Sequence, residues 1–217
     1  MIRIGVLVSG SGSNLASIID ACSKGRIDGK VAVVISNIAD AYALKRAEDN
    51  DIPAEVIRHE DYPDRLSFDM KVVETLKNYQ VDLVALAGFM RVLTPEFLDA
   101  YSGRVMNIHP ALLPSFPGLG VRQKATDHGV RFSGCTVHFV DSGVDTGPII
   151  IQAVVPVYPD DTEEELKERI LKLEHQIYPR AIELFAQGDL EIVGRKVFIR
   201  GITKDDSQCL INPPLNR

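Results

Sequence analysis

The chain has 217 residues, of which 45% are hydrophobic and 25% are charged. These values are typical of a globular protein with a sizeable core, and they favour a single domain covering residues 1–217. The formal net charge of −6 argues against a general nucleic-acid-binding protein, because such proteins usually carry a basic patch.

The first apolar run, residues 2–10, resembles a buried strand and lacks the basic and apolar segments of a secretory signal. No apolar run reaches the roughly 18 residues that a membrane span requires. The three cysteines are too far apart to form a Cys-x-x-Cys pair, and no histidines and carboxylates show metal-ligand spacing. We therefore expect a cytoplasmic protein with no metal and no membrane association.

Short apolar runs alternate with helical patterns through the first half of the chain. Strands are predicted at residues 2–10, 30–37, 54–59, 81–88 and 104–109. Helical spacing or helix-start residues occur at residues 15–22, 66–76 and 94–96. This alternation predicts an α/β fold with a mostly parallel, twisted sheet, helices on both faces and a Rossmann-like N-terminal half.

The second half has a different pattern. Residues 132–141 and 147–157 read as two strands whose short connection favours antiparallel pairing. A long helix is predicted from about Thr162, and Pro179 should kink or interrupt it. A hairpin is then expected to turn at Gly194 and Arg195, and residues from about 204 to 217 read as a loosely ordered tail.

A glycine- and serine-rich loop, SGSGSN at residues 9–14, separates the first predicted strand from the first helix. Glycines allow a tight turn there, and the helix N-terminus offers free N–H groups to an anion. The loop lacks the third glycine of the dinucleotide fingerprint, and no acid follows at the end of the second strand. It therefore favours a phosphate monoester over a dinucleotide, while an ordinary strand-to-helix turn is the plain structural alternative.

Asn107 and His109 lie two residues apart at the end of the fifth predicted strand, so their side chains share one face. Open α/β sheets bind ligands at this edge, and a proline-rich loop follows immediately. An amide donor beside an imidazole suits a developing oxyanion or a proton transfer near neutral pH. A polar pair that only caps the strand end is the structural alternative.

The loop at residues 141–148, DSGVDTGP, offers a carboxylate partner for His109. Asp145 lies between two glycines in a tight turn, and a carboxylate there would orient the imidazole and raise its pKa. Asp141 is an alternative, although it follows the strand directly and can cap the turn. His138, in the preceding strand, either faces the site or packs in the core.

Five segments in order along the chain resemble the glycinamide ribonucleotide formyltransferase family, the folate-dependent enzymes of purine synthesis. They are SGSGSNL (9–15), LAGFMRVL (86–93), NIHPALLPSFPG (107–118), SGCTVHFVDSGVDTGPIIIQ (133–152) and EHQIYP (174–179). The resemblance covers roughly residues 2–190. It implies the formyltransferase fold, with a Rossmann-like first half. Gly120 departs from the family pattern, which often has a histidine at this point of the proline loop.

The resemblance implies roles for the residues that match the family's motifs. Asn107, His109 and Asp145 would form the catalytic group. The ribonucleotide would be bound by Gly12, Ser13 and Asn14 at its phosphate, and by Leu171, Lys172, Leu173 and above all Glu174 near its amine. The folate would contact Arg65, Met90, Arg91, Val92, Leu93, Asn107, Asp141, Ser142, Gly143, Val144 and Asp145.

The implied reaction is formyl transfer from 10-formyltetrahydrofolate to the amine of 5′-phosphoribosylglycinamide. It needs only small-molecule substrates, with the protein a monomer or homodimer and neither nucleic acid nor metal involved. A methionyl-tRNA formyltransferase would need an additional nucleic-acid-binding domain. A formyltetrahydrofolate deformylase, which uses water in place of the amine, and a nucleotide-binding module without catalysis are the remaining alternatives.

Overall fold

The computed structural model describes residues 1–201 and residue 210. The tail predicted at about 204–217 therefore lies outside the described residues, apart from Leu210. Within the described part, nine strands form one sheet in the order β3-β2-β1-β4-β5-β6-β7-β9-β8. The strands are β1 Ile2–Val8, β2 Gly29–Ser36, β3 Ala54–Val56, β4 Leu83–Leu86, β5 Val105–His109, β6 Phe132–Phe139, β7 Ile149–Pro156, β8 Leu190–Val193 and β9 Lys196–Ile199.

Helices cover both faces of the sheet. They are α1 Ser13–Ser23, α2 Tyr42–Glu48, α3 Arg65–Asn78, α4 Pro95–Ala100, α5 Val121–Asp127 and α6 Glu163–Gln187, with a 3-10 turn at His59–Asp61. Residues of α1, α2, α5 and α6 belong to one hydrophobic core, and residues of α3 and α4 belong to the other.

The strand pattern explains the continuous apolar runs of the sequence. Successive side chains of a strand point to opposite faces. In β1, Ile4 and Val6 enter the core beside α1 and α6, whereas Leu7 enters the core beside α3. Since both faces are covered, both sets of side chains are buried. The predicted α/β fold with helices on both faces is confirmed.

The connections place a ligand crevice at one edge of the sheet. Strands β1 to β5 pair in parallel, with β1 flanked by β2 and β4. The strand order reverses at β1, and open α/β sheets bind ligands at the carboxyl ends of the strands next to such a reversal. The pairs β5–β6 and β6–β7 are antiparallel, and the second of these pairings was predicted.

Helix α6 is longer and more regular than predicted. It begins at a capping box between Thr162 and Glu165, and it continues through Pro179 to Gln187 without interruption. Of the two predicted effects of Pro179, a kink or an interruption, the interruption is therefore wrong. A proline removes one helical hydrogen bond, but the neighbouring Tyr178 is fully buried, with its hydroxyl 3.0 Å from the carbonyl oxygens of Leu86 and Met106. This packing outweighs the local cost.

The C-terminal hairpin turns between β8 and β9 at Gly194 and Arg195, as predicted. Strand β9 then pairs in parallel with β7, so the hairpin extends the same sheet. At its tip, Arg195 donates a hydrogen bond to the carbonyl oxygen of Thr146, 3.0 Å away. The hairpin thus contacts the loop that carries Asp145.

Candidate active site

A cavity of about 330 Å³ lies at the carboxyl ends of β4 and β5. Its walls are the segment after β4 (88–93), the end of β5 (107–110), residues 118–122 before and within α5, and the loop after β6 (140–145). The volume falls at the lower end of the range for small-molecule sites. The cavity therefore lies where the strand reversal predicts a ligand site.

Asn107, His109 and Asp145 converge on this cavity, as the sequence predicted. The Nδ1 atom of His109 lies 3.3 Å from Oδ2 of Asp145, and Nδ2 of Asn107 lies 3.4 Å from Oδ1 of the same carboxylate. Asn107 and His109 share a face because they alternate along β5. The loop after β6 then supplies the acid.

His109 is almost enclosed, with 5% of its surface exposed. Its Nε2 lies 2.9 Å from the carbonyl oxygen of Phe116, which can only accept, so this nitrogen carries a proton. Burial lowers the pKa of His109 below its usual value, and this effect outweighs the Phe116 carbonyl and the Asp145 carboxylate, which both raise it. The predicted effect of the carboxylate on the pKa of His109 thus has the expected direction, but burial, which the sequence did not reveal, outweighs it.

Asp145 has φ 55°, a left-handed conformation that non-glycine residues rarely adopt. Burial by itself raises the pKa of this carboxyl, but the neighbouring His138, the hydrogen bond from the Gly118 N–H and the nearby His109 bring it below its usual value. The Gly118 N–H donates to Oδ2 over 2.8 Å. Asp145 is thus ionised at neutral pH, and its two oxygens are directed at the groups that surround the cavity.

Asp141, the alternative acid, has a different task. Its Oδ1 accepts hydrogen bonds from the Gly143 N–H and the Thr146 hydroxyl, so it shapes the turn that presents Asp145. The structure therefore favours Asp145 as the partner of His109. Asp141, Gly143 and Val144 still line the cavity, as predicted, whereas Ser142 does not line it.

His138 is a site residue that the sequence left undecided. It is paired with Asn107 in the β5–β6 ladder and also lines the cavity. Its Nδ1 donates to the carbonyl oxygen of Phe139 over 2.8 Å, which leaves Nε2 to accept from Nδ2 of Asn107 at 3.3 Å. The strand register was the missing signal, because it alone places residue 138 opposite residue 107.

The glycine- and serine-rich loop leads into α1 with Gly12 at φ 69°, and no side chain caps this helix. The first backbone N–H groups of α1 are thus available to an anion. Asn14 is turned inward, where its Nδ2 donates to Oε2 of Glu174 over 2.7 Å. The Asn14 side chain thus links this loop to α6, and the predicted phosphate contact at this position stays a prediction.

Glu174 is the member of the predicted segment 171–174 that meets this loop. The residue is 7% exposed, and burial raises the pKa of its carboxyl, against the opposing effects of Asn14 and the Arg122 guanidinium. Leu173 packs against the core, Lys172 is exposed and Leu171 is half-buried. A buried acid beside a helix N-terminus is the feature of this segment that suits binding of a cation or an amine.

The structure also shows where two further residues singled out in the sequence lie. Arg65, the first residue of α3, is exposed and does not line the cavity, whereas Met90, Arg91, Val92 and Leu93 do. Gly120, the departure in the proline loop, caps α5 with φ 66°, a conformation that favours glycine. Its lack of a side chain is thus explained by the start of this helix.

Among the described residues, no three histidine, cysteine or acidic side chains are grouped so that they could hold a metal ion. In the same part of the chain, no helix combines the length and the apolar character needed to cross a membrane.

Comparison with known proteins gives the family. A profile described as formyl transferase matches residues 2–182. Phosphoribosylglycinamide formyltransferase from Haemophilus influenzae is 44% identical over 201 residues, which cover 93% of this chain and 95% of the relative. The trifunctional purine biosynthetic protein adenosine-3 from Drosophila melanogaster is 50% identical over 188 residues. That match covers 86% of this chain but 14% of the much longer Drosophila protein.

Solved structures agree. Glycinamide ribonucleotide transformylase 1 from Symbiobacterium toebii has a TM-score of 0.91 and 56% identity, over 92% of this chain and 94% of that one. A formyltetrahydrofolate deformylase from Pseudomonas syringae has a TM-score of 0.84 and 28% identity, over 91% of this chain and 65% of that one. These matches confirm the resemblance carried by the motifs, and the chain belongs to the formyl transferase family.

Proposed function

We propose that the protein transfers the formyl group of 10-formyltetrahydrofolate to the amine of 5′-phosphoribosylglycinamide in purine synthesis. The observation that carries this proposal is the convergence of Asn107, His109 and Asp145 on one cavity. A module that only binds nucleotides has no need for such a set. The names of the similar proteins from Haemophilus influenzae and Symbiobacterium toebii support the choice of substrates.

The cavity suits the folate donor. Residues 90–93 form one wall, and Asp141, Gly143 and Val144 form another, with Ser142 in the same turn. The lining is mostly apolar with a few polar groups, which is typical of sites for small organic ligands. Arg91, in the first wall, has a buried Nε with no hydrogen-bond partner among the described residues, and a polar group of the donor would satisfy it.

The ribonucleotide is assigned to the adjoining loop and to α6. Its phosphate meets the free N–H groups at Gly12, Ser13 and Asn14, where the dipole of α1 favours an anion. Its amine end approaches Glu174, with Leu171, Lys172 and Leu173 in the same helical turn. Asn14 links these two contacts through its hydrogen bond to Glu174.

In the reaction, the amine attacks the formyl carbon and negative charge develops on the formyl oxygen. Asn107 donates an Nδ2–H to this oxygen. Its present bonds, to His138 at 3.3 Å and to Asp145 at 3.4 Å, are longer than a typical hydrogen bond and can be given up at little cost.

His109 takes part as the group that holds or moves a proton. The ring is neutral in the free protein, since burial lowers its pKa. The ionised Asp145 beside Nδ1 stabilises the imidazolium when the ring takes up a proton from the attacking amine. A proton is then given to the folate nitrogen as the bond between that nitrogen and the formyl carbon breaks. Alignment of the two substrates adds to the rate, since well-oriented pairs gain about 7–11 kcal/mol.

One assay tests the proposal. Purified protein is mixed with 10-formyltetrahydrofolate, with and without phosphoribosylglycinamide, and the folate product is followed by absorbance. We expect turnover that depends on the amine. Turnover without the amine would indicate a deformylase, a second candidate favoured by the structural similarity to the Pseudomonas syringae enzyme. No turnover in either mixture would favour a binding module.

We also propose that the enzyme is cytoplasmic and is a monomer or homodimer. It acts on small molecules and binds neither nucleic acid nor a membrane. Size-exclusion chromatography with light scattering distinguishes the two assembly states. A catalytic unit that functions alone predicts the same specific activity over a wide range of protein concentration.

A further inference from the structure

One wall of the cavity is a segment without helix or strand, residues 88–94, which we call the wall loop. A loop of this kind keeps its shape only when its polar backbone groups are held by partners outside it. At its first end, the Met90 N–H donates to Oγ of Ser9 over 3.0 Å, and the Ser9 N–H donates to the Gly88 carbonyl oxygen over 3.1 Å. The end of β1 thus fixes the start of the wall loop.

Asp69 fixes the other end. This residue of α3 is completely buried, and its Oδ2 accepts the Thr94 N–H over 2.6 Å. Thr94 is also the N-cap of α4, where its hydroxyl oxygen accepts the Phe97 N–H. A short bond from a backbone N–H to a buried carboxylate is stronger than a neutral one. Asp69 therefore determines where the wall loop ends and where α4 begins.

The middle of the wall loop rests on the same part of α3. The guanidinium carbon of Arg91 lies 4.9 Å from the ring centre of Phe68, the residue before Asp69. Burial raises the pKa of Asp69, while the Thr94 N–H and the charges of Arg65 and Arg91 oppose this rise. Oδ1 of Asp69 has no hydrogen-bond partner among the described residues. Its neighbours are thus the wall loop and the two arginines assigned to the folate side.

We infer that Asp69 is a positioning residue for the formyl donor, acting through the Thr94 N–H to hold the wall loop in place. Its side chain does not line the cavity. The inference rests on the proposed function, because that proposal assigns this wall to the donor, and assigns the amine substrate to the start of α1 and to α6. It explains why the sequence places an acid inside the first turns of a helix that packs against the sheet.

The test compares Asp69→Ala and Asp69→Asn with the wild type in steady-state assays with each substrate varied. Loss of a charge-assisted hydrogen bond predicts an increase of about tenfold in the KM for the donor of Asp69→Ala. Asp69→Asn keeps an oxygen acceptor and should show a smaller increase, about threefold. The KM for the amine substrate should stay close to the wild-type value in both variants.

Thr75→Ala is the matched control, because Thr75 is a buried polar residue of the same helix whose hydroxyl donates within that helix, to the Lys71 carbonyl oxygen. It should lower the melting temperature and leave both KM values unchanged. If Asp69→Ala and Asp69→Asn behave like Thr75→Ala, or raise both KM values equally, Asp69 is merely structural and the inference is wrong.

A second readout does not depend on turnover. Amide hydrogen exchange of the ligand-free protein should be about tenfold faster across residues 88–94 in Asp69→Ala and unchanged there in Thr75→Ala. Unchanged exchange in Asp69→Ala would overturn the inference. A wild type that fails to turn over would instead contradict the proposed function, and the exchange result would still decide whether Asp69 holds the wall loop.

Discussion

Asn107 reaches the cavity from near the end of a buried strand, with its Nδ2 directed toward both His138 and Asp145. In the proposed mechanism this nitrogen is the main donor to the oxyanion. We predict that Asn107→Ala lowers kcat by about 10²- to 10³-fold, or about 2.7–4 kcal/mol, as for other oxyanion donors. Both KM values should change little, because the contact forms in the transition state. A kcat close to that of the wild type would exclude this role.

Burial lowers the pKa of His109, and the hydrogen bond to the Phe116 carbonyl oxygen and then the charge of Asp145 oppose this effect. Because a nearby anion favours the imidazolium, Asp145→Asn should lower the pKa of His109 further below its usual value. Nitrogen-resolved NMR titration of the histidine rings measures this change, and kcat/KM should fall in parallel. Resonances of His128, which is exposed and bonds to the Lys124 carbonyl oxygen in α5, should be unaffected by the substitution. An unchanged or raised pKa of His109 would contradict the assignment of Asp145 as its partner.

At the scale of single residues, local spacing in the sequence was enough to predict that the side chains of the proposed catalytic group share one part of the sheet edge. Asn107 and His109 are two residues apart on one strand, and Asp145 lies in a turn bounded by glycines. The pairs Asn107–His138 and Asn14–Glu174 were not predicted, because they depend on strand register and helix packing between residues 31 and 160 positions apart. The net lowering of the pKa of His109 was not predicted for a related reason, since burial is a property of the assembled fold.

The loop between β6 and β7 is an element whose shape depends on one close approach. A Cβ atom at Gly147 would overlap the carbonyl oxygen of Phe139. Gly147→Ala must therefore displace the segment that carries Asp145. We predict a loss of kcat/KM of about a hundredfold, the size expected when a catalytic group is displaced by about 1 Å. A melting curve measured alongside shows whether the protein folds.

Gly129→Ala is the control for this change. Gly129 has φ 63° and open space around its Cα, so alanine there costs about 1–2 kcal/mol of backbone strain at a position that does not line the cavity. If Gly129→Ala is destabilised but active and Gly147→Ala is inactive, the loss of activity comes from the displaced loop and not from lower stability. Equal activity of the two variants would show that the close approach at Gly147 is not needed.

Elements with long apolar patterns were predicted, whereas the short helices α2 and α5 were not. The runs behind β1, β2 and β6 are buried on both sides and leave little choice of structure. Helices α2 and α5 have seven residues each, two of them buried, so no periodicity could be read. The error at Pro179 is of the opposite kind, because a strong local signal was overridden by the burial of α6 against the sheet.

For the molecule as a whole, one edge of the sheet carries two neighbouring parts of the proposed active site. The ends of β4 and β5 form the cavity, and the end of β1 leads into α1 and its free N–H groups. Glu174 joins them from α6, which packs across α1, and this places an acidic group inside the protein. A buried acid of this kind lowers the free energy of unfolding at neutral pH, so an unfolding experiment on the whole protein can measure its effect.

The pKa of Glu174 is raised in the folded protein, mainly by burial. From the ordinary value of 4.5 upward through the raised value, the folded state binds more protons than the unfolded state, so this group's contribution to stability falls as pH rises. Glu174→Gln removes that effect. In urea unfolding, the free energy of unfolding of the variant minus that of the wild type should therefore be larger at about pH 8 than at about pH 5. The kcat/KM for the amine substrate should fall about tenfold or more. Glu168→Gln, an exposed change on the same helix, is the control. A fully active Glu174→Gln protein would show that this carboxylate does not bind the amine. A variant that gains no stability over wild type across this pH range would show that burial does not raise the pKa of Glu174.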